Sequence, residues 1–97
     1  MAVKFMSNEK QWFVYILRCA DGTLYTGMTD DIEHRIAVHN AGKGAKYTRG
    51  RGPVEMVYRE CCENRGAALK REYAIKKLTR PQKLALIDTH KEGADRI

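Results

Sequence analysis

The sequence contains no apolar run that approaches the ~18 consecutive residues needed to cross a lipid bilayer. The first ten residues mix charged, polar and apolar side chains, and they lack the central apolar stretch of a secretion signal. Neither feature favours export or insertion into a membrane. We therefore expect a cytoplasmic protein that has no membrane partner.

Cysteine is too scarce to form a disulfide framework. Of the three cysteines, Cys61 and Cys62 are adjacent and Cys19 stands alone. A zinc site would need His34 or His90 to complete its ligands, because no CxxC pair is present. The composition indicates buried thiols in a reducing cytoplasm, and it suggests no function for the adjacent pair.

Acidic residues are nearly absent from two basic segments. Residues 42–51 contain four basic side chains and no acid, and residues 65–83 contain seven against Glu72 alone. The net charge of the whole chain is +6. Clustered positive charge favours a polyanionic partner, and nucleic acid is the commonest one. A solvated basic surface without a partner is the alternative interpretation.

The length of 97 residues and the apolar content of 43% are typical of one small folded domain. Both alternating faces of residues 12–18 are apolar, which predicts a strand in the middle of a sheet. We predict one α+β domain over 12–88, in the order β-β-α-β-α-α, with a flexible arm at 1–11 and a frayed tail at 89–97. The predicted strands are 12–18, 23–27 and 54–61, and the predicted helices are 30–40, 65–78 and 81–88.

Capping residues mark both ends of the first predicted helix. Asp30 and Glu33 have the spacing of a capping box, and acidic side chains suit the positive end of a helix. Gly42 and Gly44 are expected to end the helix.

Charged and titratable side chains lie on the apolar faces of two predicted helices. At 100° per residue, Arg35 and His39 fall within the apolar stripe of the first helix, and Glu72 falls between Leu69 and Ile75 on the second. A lone buried charge costs several kcal/mol, so each group needs a partner, a metal or a wet cleft. One interpretation is an internal Arg35–Glu72 ion pair with His39 hydrogen-bonded nearby. The other is a cleft in which Glu72 holds a cation, Arg35 a phosphate and His39 a proton.

The loop of the first hairpin decides whether Tyr15 and Tyr25 share a face of the sheet. A two-residue Asp-Gly loop would put the two phenols on opposite faces. A three-residue loop, 20–22, pairs Leu17 with Tyr25 and brings the phenols together, with Gly22 in a left-handed conformation. We predict the three-residue loop if both phenols serve one site.

An ordered set of motifs resembles the GIY-YIG nuclease domain, and most closely its small bacterial stand-alone members. The resemblance covers about residues 12–88, and two basic segments of the chain also resemble that subgroup. The set consists of Val-Tyr-Ile at 14–16, Tyr-Thr-Gly at 25–27, Arg35 and His39 four residues apart, and Glu72 on a later helix.

The resemblance implies a small three-stranded antiparallel sheet flanked by helices. It also implies hydrolysis of DNA phosphodiester bonds with one divalent ion, Mg²⁺ or Mn²⁺. By the same resemblance, Glu72 binds the metal, Arg35 steadies the scissile phosphate, and Tyr15 and Tyr25 orient or deprotonate the attacking water. Because an ordinary phenol has a pKa near 10 and an imidazole one near 6.5, we favour Tyr25 and His39 as joint activators of that water.

The sequence departs from the family pattern in four places, which leaves the identity of the base open. The first motif reads Val-Tyr-Ile rather than Gly-Ile-Tyr, and Thr26 replaces an isoleucine. Met28 stands where some relatives carry a lysine, and residues 79–90 contain no asparagine.

The glycine-rich basic segment is expected to contact the DNA backbone, and its tyrosine to stack on an exposed base. An ordinary loop without a ligand is the alternative. No predicted element offers a clear surface for reading bases, so we expect recognition of DNA structure, such as branches or ends. The candidate DNA-binding residues are Lys43, Lys46, Tyr47, Arg49, Arg51 and Lys76.

The sequence thus predicts a structure-specific, metal-dependent DNA endonuclease of DNA repair or recombination. Two other functions are compatible with the same residues. One is a nucleic-acid-binding module with negligible turnover, and the other is a basic interaction domain for another protein.

Overall fold

Three antiparallel strands and three helices make up the fold in a computed structural model that describes residues 11–43 and 52–95. The strand order is β2-β1-β3, which confirms the central position predicted for the first strand. The predicted order β-β-α-β-α-α is also confirmed. The elements are β1 (Trp12–Arg18), β2 (Leu24–Thr29), α1 (Ile32–Asn40), β3 (Glu55–Cys62), α2 (Arg65–Lys76) and α3 (Arg80–Asp95).

The central strand β1 contributes to two thin cores because its side chains alternate between the faces of the sheet. Val14 and Ile16 are 0% exposed and pack on one face with apolar side chains of β3, α2 and α3. Tyr15 and Leu17 are at most 1% exposed and pack on the other face with Ile32 of α1. No helix in the described ranges is long and apolar enough to span a membrane.

The hairpin between β1 and β2 has the predicted three-residue loop. Leu17 pairs with Tyr25, and the loop closes where the Cys19 N–H donates to the Thr23 carbonyl at 2.8 Å. Gly22 has φ of 88°, a left-handed conformation that glycine adopts without a steric penalty. The odd loop length fixes which side chains of β2 share a face with those of β1.

Two strands differ slightly from their predicted limits. β2 continues to Thr29 instead of ending at 27, because its last residues keep pairing with β1 as far as Phe13. β3 runs over Glu55–Cys62 instead of 54–61, and the pairing with β1 skips Val57. That extra residue is a bulge, which a simple alternating pattern does not reveal.

The first turn of α1 corrects one sequence prediction. Asp31, not Asp30, is the N-cap, and its carboxylate accepts the His34 backbone N–H at 3.2 Å. The predicted capping box of Asp30 and Glu33 is therefore wrong. Asp31 lies just before the first helical residue, with φ of −151° and ψ of 89° outside the helical region, so its carboxylate reaches the N–H three residues on, at His34.

The last turn of α1 ends where the sequence predicts. Gly42 has φ of 77°, and its N–H donates to the His39 carbonyl at 3.0 Å. The Lys43 N–H donates to the Val38 carbonyl, also at 3.0 Å, which completes a Schellman motif. The predicted role of Gly44 lies outside the described residues.

The two C-terminal helices meet at a reciprocal cap. The Thr79 N–H donates to Gln82 Oε1 at 2.9 Å, and the Gln82 N–H donates to Thr79 Oγ1 at 3.3 Å. This capping box ends α2 at Lys76, earlier than the predicted residue 78, and starts α3 at Arg80.

The third helix is longer than the sequence predicts. α3 continues to Asp95, so its predicted end at 88 is too early, and residues 89–95 of the predicted frayed tail are helical. The apolar periodicity fades after Ile87, which removes the sequence signal for this part of the helix. Almost all of the predicted arm, residues 1–10, lies outside the described residues.

The Asp31 cap can be tested by its contribution to stability. Asp31→Ala removes the carboxylate that satisfies a backbone N–H of the first turn, and it should lower the free energy of unfolding by about 1 kcal/mol. Asp31→Asn keeps a capping oxygen and should stay within a few tenths of a kcal/mol of the parent. Urea denaturation measures both, and equal losses in the two variants would contradict the assignment.

Candidate functional site

The hydroxyl group of Tyr15 contacts or is influenced electrostatically by the four other residues predicted to be catalytic. It lies 3.2 Å from Nε2 of His39, and the Arg35 guanidinium is near enough to lower the pKa of the phenol. Tyr25 and Glu72 lie close enough to act on it electrostatically. The five side chains come from β1, β2, α1 and α2, and the fold brings them into one group, hereafter the Tyr15 cluster.

Three rings form the floor of the Tyr15 cluster. The ring centres of Tyr15 and Tyr25 are 6.4 Å apart, and the Tyr25 and His39 rings are 5.3 Å apart. The Tyr15 and His39 rings meet edge to face at 6.3 Å, a favourable arrangement for aromatic groups. Tyr25 is the partly exposed ring, whereas Tyr15 and His39 are each 1% exposed.

Gly27 leaves the space that Tyr15 occupies. Tyr15 is paired with Gly27 across the two strands. A Cβ atom at Gly27 would lie 2.5 Å from the Tyr15 hydroxyl oxygen and 3.1 Å from Cε2 of Tyr25. Such short approaches are forbidden, so only a glycine at this position lets the Tyr15 phenol lie across β2 and meet α1.

The environment keeps both central groups neutral at pH 7. Burial lowers the pKa of His39 below its ordinary value of 6.5, and the nearby Arg35 guanidinium lowers it further. Burial also raises the pKa of Tyr15 above 10.0, and Tyr25 and Glu72 add to this, while the nearby Arg35 guanidinium opposes it. Tyr15 therefore remains a proton donor, and a neutral His39 with its proton on Nδ1 can accept that proton at Nε2.

Glu72, on α2, supplies the carboxylate of the cluster. α2 packs on the opposite face of the sheet from α1. Because β2 is an edge strand, an α2 side chain can reach the phenols past that edge. The Glu72 side chain is 16% exposed, and its Oε2 lies 3.6 Å from Nζ of Lys76, one helical turn away. In the described part of the chain, Glu72 thus forms its ion pair with Lys76 and not with Arg35.

The donor set of the cluster fits one hard cation. Within residues 11–43 and 52–95, no group of three or more His, Cys, Asp or Glu side chains could hold a metal by itself. Mg²⁺ commonly takes one or two carboxylates and fills its other positions with waters and phosphate oxygens. A single carboxylate that is 16% exposed, with an arginine in the same cluster, is compatible with that pattern.

The predicted DNA-binding residues are described only in part. Lys43 is exposed just after α1, and the Lys76 side chain is 51% exposed on α2. Asn40 Oδ1 accepts the Val54 N–H at 2.7 Å, so the chain returns from the basic segment beside the end of α1. Four predicted residues, Lys46, Tyr47, Arg49 and Arg51, lie outside the described residues.

Sequence analysis missed the exposed apolar residues beside Glu72. Tyr73 is 63% exposed, and Leu69, which the helical pattern assigns to the apolar face, is 50% exposed. The buried residues of α2 are Ala68 and Ile75, which lie on the other side of Glu72. The sequence feature that could have drawn attention to Tyr73 is its position directly after Glu72, the only acidic residue of a basic helix.

Comparison with known proteins agrees with the fold and with the motif set. Residues 11–85 match the family model of the GIY-YIG catalytic domain. A UPF0213 protein of Desulfotalea psychrophila is 55% identical over 92 residues, which cover 94% of this chain and 84% of the relative. A UPF0213 protein of Clostridium perfringens is 62% identical over 77 residues, covering 79% and 83% of the two chains.

Two solution NMR structures have the same fold. The UPF0213 protein BH0048 from Bacillus halodurans is 46% identical, with a TM-score of 0.54 over 81% of this chain and 84% of that one. The protein EF2693 from E. faecalis is 43% identical, with a TM-score of 0.57 over 88% and 92%.

The close approach of Tyr15 to Gly27 predicts a costly substitution. Gly27→Ala forces the phenols of the cluster to move, and it should lower the free energy of unfolding by about 1–3 kcal/mol. The matched control is Gly66→Ala in the first turn of α2, where the added Cβ has no contact shorter than 3.4 Å. That variant should be as stable as the parent or slightly more stable in urea denaturation. Equal losses at both glycines would contradict the packing argument.

The pKa of His39 gives a second prediction. In an NMR titration, the His39 ring signals should have a midpoint below 6.5 because burial and Arg35 disfavour the imidazolium. In the unfolded chain the same imidazole binds a proton near pH 6.5, so the free energy of unfolding should decline as the pH falls below that value. His39→Gln should remove this part of the decline. A midpoint at or above 6.5 would contradict the environment described for His39.

Proposed function

Because this chain belongs to the GIY-YIG nuclease family, we propose that it is a divalent-metal-dependent endonuclease that hydrolyses phosphodiester bonds in DNA. The observation that supports this proposal most strongly is the Tyr15 cluster. Its imidazole contacts the Tyr15 hydroxyl, and its carboxylate, its guanidinium and its second phenol lie close enough to act on the pKa of that hydroxyl, although the five groups come from four different elements of the chain. A cluster of this composition combines a site for a cation, a site for a phosphate and a path for a proton.

Glu72 would hold the cation, Mg²⁺ or Mn²⁺. When bound, a divalent ion offsets the negative charge that develops on the phosphate oxygens during hydrolysis. The sheltered position of Glu72 supports this role, because a carboxylate that is 16% exposed interacts more strongly with a cation than a fully hydrated one does. Lys76 would release the carboxylate and turn towards the DNA.

Arg35 would hold the scissile phosphate. A guanidinium group presents two parallel N–H donors that match two phosphate oxygens, and it stays charged at any physiological pH. The Arg35 guanidinium lies close enough to the Tyr15 phenol to lower its pKa, so its charge is already at the cluster when a phosphate binds. Charge stabilisation by a donor that is already in place is an effective form of catalysis.

Tyr25 and His39 would share the activation of water, with Tyr15 between them. Tyr25 is the more exposed phenol, so its hydroxyl can position a water molecule for attack. The water gives a proton to the Tyr15 oxygen as the Tyr15 proton passes to Nε2 of His39, 3.2 Å away. The lowered pKa of His39 makes this nitrogen unprotonated, and so able to accept, at neutral pH.

We propose that the substrate is DNA with an unusual structure, such as a branch or an end. The support is the distribution of positive charge in the sequence, which is concentrated in the segment that follows α1 and in residues 65–83. Such charges contact phosphates and carry no sequence information by themselves. A role in DNA repair or recombination would follow from substrates of this kind.

A second candidate function is nucleic-acid binding with negligible turnover. The ion pair between Lys76 and Glu72 is the observation that favours it, since an ammonium group 3.6 Å away competes with a metal for the carboxylate. The Val-Tyr-Ile reading of the first motif, in place of Gly-Ile-Tyr, also favours it.

A cleavage assay separates the two functions. Pure protein is incubated with branched and linear DNA in Mg²⁺ or Mn²⁺, with EDTA as the blank. Glu72→Gln and Arg35→Ala should each slow cleavage by about 100-fold or more, because each removes a group that stabilises developing charge. Glu63→Gln, an exposed glutamate just before α2, is the matched control and should stay within about twofold of the parent.

The pattern of results decides between the candidates. Metal-dependent cleavage that persists in Glu72→Gln would contradict the assigned metal ligand. Salt-sensitive binding of DNA without any metal-dependent product would favour the binding module. No binding to any nucleic acid would contradict both candidates.

A further inference from the structure

A strip of exposed side chains runs along α2 directly beside Glu72. At 100° per residue, Lys76, Leu69 and Tyr73 lie at about 40°, 60° and 100° on one side of Glu72, and Lys77 follows at about 140°. Ala68 and Ile75, each 0% exposed, lie on the other side. Glu72 therefore marks the border between the core and this strip. The α2 strip is defined as Leu69, Tyr73, Lys76 and Lys77.

The strip combines an aromatic ring with positive charge. Tyr73 and Leu69 are the most exposed large hydrophobic residues in the described part of the chain, at 63% and 50%. Nζ of Lys77 lies 4.3 Å from the centre of the Tyr73 ring, within the range of a cation–π interaction. That ammonium group lies over one face of the ring, and Tyr73 as a whole remains 63% exposed.

The charge of the strip selects among possible occupants. Glu72 is the only acidic residue of α2 and belongs to the Tyr15 cluster, so the strip contains two lysines and no acid, with Lys76 paired to Glu72 at its border. A symmetric dimer through this face would bring the lysines of two copies together and repel them. An aromatic ring flanked by lysines is the arrangement by which proteins bind the bases and phosphates of single-stranded nucleic acid.

We propose that Tyr73 stacks on an unpaired base of DNA next to the scissile phosphate, which Arg35 and the cation at Glu72 would hold, and that Lys77 contacts a flanking phosphate. The inference rests on the proposed function and deepens it by naming a feature of the substrate. Tyr73 directly follows Glu72 in the chain, so a base stacked on it belongs to a nucleotide close to the scissile phosphate. Overhangs, flaps and bulges carry such a base, whereas a blunt duplex keeps its bases paired and stacked.

The test uses two DNA probes in EDTA, so that nothing is cleaved. One is a blunt duplex, and the other is the same duplex with a single-stranded overhang that carries 2-aminopurine. Tyr73→Ala should weaken binding to the overhang probe by about 5- to 100-fold, and it should leave affinity for the blunt duplex within about twofold. The fluorescence change of 2-aminopurine on binding, which reports stacking, should be lost.

Two further variants separate stacking from other causes. Tyr73→Phe keeps the ring and should restore both the affinity and the fluorescence change. Lys77→Gln removes a phosphate contact, so it should weaken binding to both probes alike. The slope of log K against log salt concentration should also become less steep by about one unit. Circular dichroism and thermal melting of each variant verify that the fold is intact.

The outcomes distinguish this inference from the proposed function. If the parent protein cleaves DNA but Tyr73→Ala binds the overhang probe as tightly as the parent, the stacking role is wrong and the nuclease proposal stands. Equal weakening for the blunt duplex, or failure of Tyr73→Phe to restore binding, would also overturn stacking. If the parent binds neither probe, both proposals fail together.

Discussion

The buried hydrogen bond between the Tyr15 hydroxyl and the His39 imidazole is the interaction on which the site depends. Tyr15 belongs to the core as well as to the site, because its ring packs under α1 while its hydroxyl contacts His39 and lies near Arg35. A domain of 97 residues has little interior, so one side chain serves both purposes. Gly27 makes this possible, since any side chain there would exclude the phenol.

The parts of the site that sequence could predict depend on fixed periodicities. The alternation of apolar residues in 12–18 predicted a central strand, and the parity of a three-residue loop predicted that Tyr15 and Tyr25 share a face. The helical repeat predicted that Arg35 and Glu72 point inward, and the structure brings both to the same phenol. The strand and helix predictions need only the period of each element, whereas the loop prediction also needed the condition that both phenols serve one site.

The parts that sequence could not predict depend on contacts between elements. Asp30 and Asp31 both fit an N-cap, and the choice between them depends on where the helical backbone begins. Glu72 could pair with Arg35 or with Lys76, and only the position of α2 on the sheet decides. The exposure of Tyr73 likewise depends on which side of α2 packs against the sheet. The sequence does not decide this, because apolar residues occur on several sides of the helix.

NMR with Mn²⁺ tests directly whether a single cation binds at the Tyr15 cluster. A paramagnetic ion broadens the signals of nuclei near it, so small additions of Mn²⁺ should broaden Glu72, Gly27 and Tyr15 first. The Glu72→Ala variant, verified as folded, should lose this selective broadening. Broadening centred on another region of the chain, or unchanged in Glu72→Ala, would contradict the account.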